Sequence, residues 1–346
     1  MQINVFQEKT LVLMARFSFG HDSMTYSKGE AGKNQTISDG FILLGFSYLG
    51  DLQILLFLVL LAMYIVTLLG NLLVILLIKL NPSLHTPMYF FLVNLSFLEI
   101  CFTSSVVPQL LVHLLVEEKT ISLAGCAAQM YVDTIMCLTE CCLLAAMAYD
   151  RYAAICHPLH YTTIMSGRAC AQLAGASWFF GISVEVAQTT WIFSLPFCGS
   201  NRIHHFFCDI PPVLKMACAD TSKNDIMVLT VTVVFIMGPF LLIILSYIVI
   251  ICTVLKLPSA EGRRKAFSTC SSHLMVVTLF YGLALITYLG VKSSSRPESD
   301  QMISLMNVIV SPMLNPIIYT LRNKEVKGAL RKTVGNTLFP QNWRNQ

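Results

Sequence analysis

Asp133, Glu140 and Arg151 carry the strongest chemistry in an otherwise apolar stretch, and they share one helical face. At about 100° per residue, Glu140 falls roughly 20° from Asp133, and Arg151 about 20° from Glu140 in the other direction. Two carboxyls and a guanidinium in register can bind a cation, hold a proton or form an ion pair. Asp150 stands next to Arg151 and can hold its guanidinium until a partner competes for it. Glu99 and Glu185 are further acids inside apolar runs. Each such group costs at least ~2.5 kcal/mol in mid-membrane, so each is expected to face protein or water. His204-His205 is the one paired-histidine candidate for a metal. Adjacent side chains point in different directions, so the pair reads as plain loop residues. His-Glu-x-x-His is absent, as is a serine–histidine arrangement in motif context, which argues against an intramembrane enzyme.

The elements that must position these groups follow from composition. Of 346 residues, 55% are apolar and 12% charged, against about 25% charged in soluble domains. With a mean hydropathy of +0.67, this excludes a soluble enzyme, and a formal charge of +4 excludes a nucleic-acid binder. A bilayer core takes ~20 apolar residues of helix. Seven runs qualify: 52–78, 88–112, 126–148, 169–195, 226–255, 266–291 and 301–321. The expected fold is therefore an all-α membrane bundle of seven helices, spans one to seven. An extracellular tail over 1–51 would precede the bundle over 52–321, and a cytoplasmic amphipathic helix and tail over 322–346 would follow it. With the N-terminus outside, the inner segments hold thirteen Lys/Arg against three acids, which sets that orientation. The Asn34-Gln35-Thr36 sequon would then be glycosylated. No cleavable leader is evident, Met24 offers a second start, and residues 1–33 read as a disordered tail. Cys126, Cys198, Cys208 and Cys218 fall at the oxidising outer face, where spacing alone allows three pairings. The loop at 196–225 is long enough to be functional. A transporter would show inverted repeats or several interrupted spans, and neither is visible.

Six motifs in order complete the pattern. They are Gly70-Asn71; Leu84-His85-Thr86-Pro87-Met88-Tyr89-Phe90-Phe91-Leu92; Met147-Ala148-Tyr149-Asp150-Arg151-Tyr152 continuing through His157-Pro158-Leu159-His160-Tyr161; Ser246-Tyr247; Lys265-Ala266-Phe267-Ser268-Thr269-Cys270-Ser271-Ser272-His273-Leu274; and Pro312-Met313-Leu314-Asn315-Pro316-Ile317-Ile318-Tyr319. From about residue 41 to 332 the chain resembles the rhodopsin-like G-protein-coupled receptors, and within them the olfactory receptors.

The resemblance implies a multi-pass plasma-membrane receptor that binds a small odorant and activates a stimulatory heterotrimeric G protein, raising cyclic AMP. It implies disulfides Cys126–Cys208 and Cys198–Cys218. It places coupling at Asp150, Arg151, Tyr152, Tyr247, Asn315, Pro316 and Tyr319. It makes an odorant pocket of Met130, Asp133, Thr134 and Cys137 of span three, Val231, Thr232 and Phe235 of span five, Tyr281, Ala284, Leu285 and Tyr288 of span six, and Val308 of span seven. No resident cofactor is implied beyond a sodium ion at Asn71, Glu99, Glu140 and Asn315. Glu99 departs from the aspartate more usual there, and the alternative is a protonated, hydrogen-bonded glutamate. Asp133 also departs from the family, which more often has an apolar or aromatic residue there. In biogenic-amine receptors the matching aspartate pairs with an ammonium. The bland alternative is a buried Asp133 bonded to Thr134 or Tyr288. Glu185 reads as a structural, protein-facing acid.

Overall fold

A computed structural model describes residues 40–198, 200–256, 258–293, 297–322 and 326–330, without the side chains of 265, 268–269, 286–293, 297–300 and 320–322. Asn34, Met24, the Tyr288 side chain and the tail from 331 lie outside the described residues. Six helices are long and apolar enough to cross a bilayer: Leu52–Leu80, Pro87–His113, Leu123–Cys156, Gly167–Phe193, Ser222–Leu255 and Gln301–Tyr319. The remaining long helix, Ala260–Ser293, carries a shorter apolar stretch at Cys270–Leu285. These are the seven spans expected from the apolar runs, and helix is the form that satisfies every backbone group within its own segment in lipid.

Local chemistry sets the helix ends. Span three starts at Ser122, whose Oγ accepts from the Gly125 N–H at 3.0 Å, and span four starts the same way at Ser166. Pro87 opens span two, where its missing N–H does no harm. Leu55, Leu58, Leu69 and Leu72 of span one point outward, as a lipid-facing surface does.

Span three is the axle: it packs against spans two, four, five and six, while span one packs on spans two and seven. The approach to span four is close at Gly181. A Cβ there would run into Thr139 Oγ1 and come within 3.2 Å of the Ile135 carbonyl. Spans five and seven each contain a π-helical stretch, Thr232–Met237 and Met306–Val310. Such bulges loosen the helix and re-aim the side chains they carry. Both fall on expected pocket residues: Thr232 and Phe235 in one, Val308 in the other.

The outer end carries a three-stranded sheet that the apolar pattern does not announce. The strand β1 (Phe41–Leu43) runs antiparallel to β2 (Thr120–Ile121) and parallel to β3 (Arg202–Ile203). It ties the chain before span one to the loops after spans two and four. Gly40, at φ +116°, lies where any Cβ would strike the Ile121 carbonyl. Phe46 adopts a left-handed conformation, unfavourable for a bulky residue. It is held there by Gln301 Oε1, which accepts from its N–H at 2.9 Å, and by stacking on Phe206.

Gly181→Ala is expected to lower the melting temperature of the purified protein by several degrees, the usual consequence of overpacking by about 1–3 kcal/mol. An unchanged melting temperature would show that spans three and four do not meet at this glycine.

Candidate functional site

The outer roof is pinned to span three. Cys126 is joined to Cys208, with Cα atoms 5.5 Å apart, and Cys198 to Cys218 at 5.9 Å. One turn along span three, Gln129 Oε1 accepts from the Cys208 N–H at 2.9 Å. Its Nε2 donates to the Ser105 carbonyl of span two at 3.0 Å. Lys119, buried in the loop before span three, donates to the Gly45 carbonyl and Ser47 Oγ, and burial pulls its pKa down. His205 faces inward rather than to a metal. It shares a 3.2 Å hydrogen bond with Ser304 Oγ of span seven, and burial lowers its pKa to about 4. Among the described residues no group of three or more His, Cys, Asp or Glu side chains is arranged to hold a metal ion.

Beneath the roof, Met130 and Asp133 are buried, and Thr134 and Cys137 half-buried, along span three. Asp133 Oδ1 accepts from Ser105 Oγ of span two. That partner is not Thr134, and it is found only when two spans are brought together. Tyr281 of span six is buried against Phe240 of span five, ring centroids 4.5 Å apart. Val231 and Phe235 turn toward span four, where Phe235 rests on Phe180. With Met227, Thr230, Ser183, Val184 and Ala187 they line a shallow apolar groove. Val308 packs with Phe46 and Phe206 in a cluster shared by spans one, two and seven. Leu285 stands 49% exposed and is not brought together with the span-three residues. Helical spacing put it on one face with Tyr281 but could not say which face meets protein.

At mid-depth, Asn315 Nδ2 donates to Glu99 Oε1. Asn71 Nδ2 donates to the carbonyls of Thr67 and Pro312 at 3.0 and 3.1 Å. Pro312 lies four residues before Pro316, whose ring nitrogen has no N–H to donate back along the helix. Four buried acceptors there have no hydrogen-bond partner: Asn71 Oδ1, Glu99 Oε2, Glu140 Oε1 and Asn315 Oδ1. All are oxygens, the donor type that suits a hard monovalent cation, so the residues fit sodium.

The inner mouth is closed by two networks. Asp150 is fully buried. It holds Arg151 through Oδ2, with Nε at 2.9 Å, and its Oδ1 accepts from the Tyr161 hydroxyl at 2.8 Å. Burial and the neighbouring Asp150 carboxylate raise the Tyr161 pKa, which keeps it a donor. Across the bundle, His273 Nε2 must donate to the Leu144 carbonyl at 3.1 Å. In neutral imidazole Nδ1 then accepts from the Tyr247 hydroxyl, 2.8 Å away. Spans three, five and six are thus joined through one ring. His273 was visible as part of a motif, but only the fold gives it this role. Tyr152 shares a hydrogen bond of 3.0 Å with His157, and Tyr319 is buried nearby. Leu159, 92% exposed, projects from the same end.

The sequence pattern describing olfactory receptors covers residues 60–336. The chain belongs to the olfactory receptor family. It is 56% identical to human olfactory receptor 10A4 over 310 residues, 89% of this chain and 98% of that one. It is 54% identical to human olfactory receptor 10A5 over the same lengths and shares. Squid rhodopsin superposes with a TM-score of 0.64 at 18% identity, over 80% of this chain and 84% of that one, which shows the shared fold. This olfactory receptor is therefore a multi-pass plasma-membrane protein of the seven-helix G-protein-coupled class, a receptor rather than an enzyme.

Cys126→Ser is expected to free the outer loop from span three and cut surface expression of the receptor several-fold. Non-reducing peptide mapping of the unaltered protein checks the pairing, and recovery of a Cys198–Cys208 peptide would reject it.

Proposed function

We propose that this olfactory receptor binds a small volatile molecule in the outer half of its bundle and activates a stimulatory, olfactory-type G protein, raising cyclic AMP. The N-terminus with a glycosylated Asn34 lies outside and the C-terminus inside. The ligand contacts Met130, Asp133, Thr134 and Cys137, with Tyr281 and Tyr288 of span six and the π-helical part of span five completing the wall. The observation that carries the reading is the Asp150–Arg151–Tyr161 lock at the inner mouth, built on the buried Asp150. A charged pair closed off beside the Tyr247–His273 link is a two-state element. Ligand binding shifts its population, and an opened mouth frees the Arg151 guanidinium for a partner's carbonyls. Leu159 and the basic Arg263-Arg264-Lys265 end of span six are at hand for that partner.

A sodium ion among Asn71, Glu99, Glu140 and Asn315 belongs to the same reading. It would supply a positive charge between two carboxyls that otherwise repel, and its support is the four unpartnered oxygens. The expected outcome is a higher melting temperature in sodium chloride than in choline chloride at equal ionic strength, with the difference lost in Glu140→Gln. Equal stability of the unaltered receptor in both salts would remove the ion from the account.

Arg151→Ala is expected to abolish agonist-driven cyclic AMP, at least tenfold in amplitude, at unchanged surface level. A full response in that variant would count decisively against the inner-mouth assignment.

A further inference from the structure

The outer half of the bundle holds more buried carboxyls than a single amine needs. Spans three and four run antiparallel and touch where Gly181 meets Ile135 and Thr139. One turn outward on span four is Glu185, level with residues 131–135 of span three. Further out, the Tyr131 hydroxyl and Thr190 Oγ1 share a 2.6 Å hydrogen bond that closes the same seam. Asp133 lies between those two contacts. Asp209 follows Cys208, which is fixed to Cys126 and hydrogen-bonded to Gln129, one turn outward of Asp133. Disulfide, glutamine and helix packing therefore converge three carboxyls from three separate segments.

Their hydrogen bonding is incomplete in one direction only. Asp133 Oδ1 takes the Ser105 hydroxyl, Glu185 Oε1 takes the Thr189 hydroxyl, and Asp209 Oδ1 takes the Ile210 N–H. Asp133 Oδ2 and Glu185 Oε2 have no partner, nor does Gln188 Oε1, one turn beyond Glu185 on the same face. Asp133 is 6% exposed, Glu185 0% and Gln188 2%. Every unmet atom is an oxygen, and with the carboxyls ionised each calls for a donor. Among the described residues no Lys, Arg or His pairs with any of the three acids. A buried carboxyl without a partner is costly, and these stand on separate segments of the chain.

On the odorant-receptor reading above, we infer that Asp133 and Glu185, with Asp209 and the Gln188 amide oxygen, form the two poles of a site for a small aliphatic diamine. One ammonium sits on Asp133 and the other on Glu185, while the methylene chain lies against apolar span-three surface that includes Met130. Each ammonium brings three donors and no acceptor, the complement of what the site lacks. A neutral alcohol or a monoamine of the same length would leave at least one of these oxygens unmet.

The probe is putrescine, compared with butylamine and with butanol, on the full chain. Cyclic AMP is read in cells, and melting temperature on purified receptor at matched ionic strength. Putrescine is expected to be at least tenfold more potent than butylamine, and to raise the melting temperature in a saturable way. Glu185→Gln, checked for surface level, should bring the putrescine-to-butylamine ratio to within about threefold, and Asp209→Asn should reduce it in the same direction. Equal potency of putrescine and butylamine on the unaltered receptor overturns the site. So does a putrescine melting shift that survives intact in Glu185→Gln, or no shift at all. A putrescine shift that Glu185→Gln removes, without any cyclic AMP response, upholds the site and rejects the coupling reading instead. A cyclic AMP response to butanol without a putrescine shift does the reverse.

Discussion

In hydrocarbon a carboxyl group has no water to turn to, and span three carries two of them with a buried Asp–Arg pair at its inner end. Each must be met from another element, or left as an acceptor awaiting a ligand. That constraint orders the bundle. Span two supplies Ser105 to Asp133, Asn315 of span seven reaches Glu99 of span two beside Glu140, and the short helix after span three supplies Tyr161 to Asp150. The polar stripe makes span three the central helix, since only a helix surrounded on most sides can satisfy groups at three depths.

The same economy distinguishes the two ends of the bundle. The outer end is tied by two disulfides, a small sheet, the Gln301–Phe46 contact and the His205–Ser304 contact. The inner end is held by hydrogen bonds and one ion pair, which exchange partners without breaking covalent bonds. Bond types are thus divided along the bundle, covalent at one end and exchangeable at the other. The two π-helical stretches lie in spans five and seven, where a bulged turn can re-form at small cost.

Much of the architecture was open to view in one dimension. Apolar run length is a local property set by bilayer thickness, so seven spans could be counted without knowing any contact. Charge bias is additive along the chain, which is why an orientation could be argued at all. The Asp133–Glu140–Arg151 register needed only the helical period. Pairings between distant segments were not open in that way. Four cysteines allowed three pairings, and proximity across 82 residues selects Cys126–Cys208. The strands are two or three residues long, too short for alternation to be seen.

What the residue order determined by itself was therefore the class of solvent, the number and kind of elements, and which side chains share a helical face. Each of these depends on neighbours within a turn or on the bilayer as a uniform medium. What only the tertiary structure decided was which of those faces meet. Ser105 as the partner of Asp133, the His273 ring joining three spans, Leu285 turned outward, and Glu185 brought level with Asp133 all depend on the rotation and depth of one helix against another. Those are set by packing at positions such as Gly181, summed over many weak contacts, and no local pattern encodes the sum.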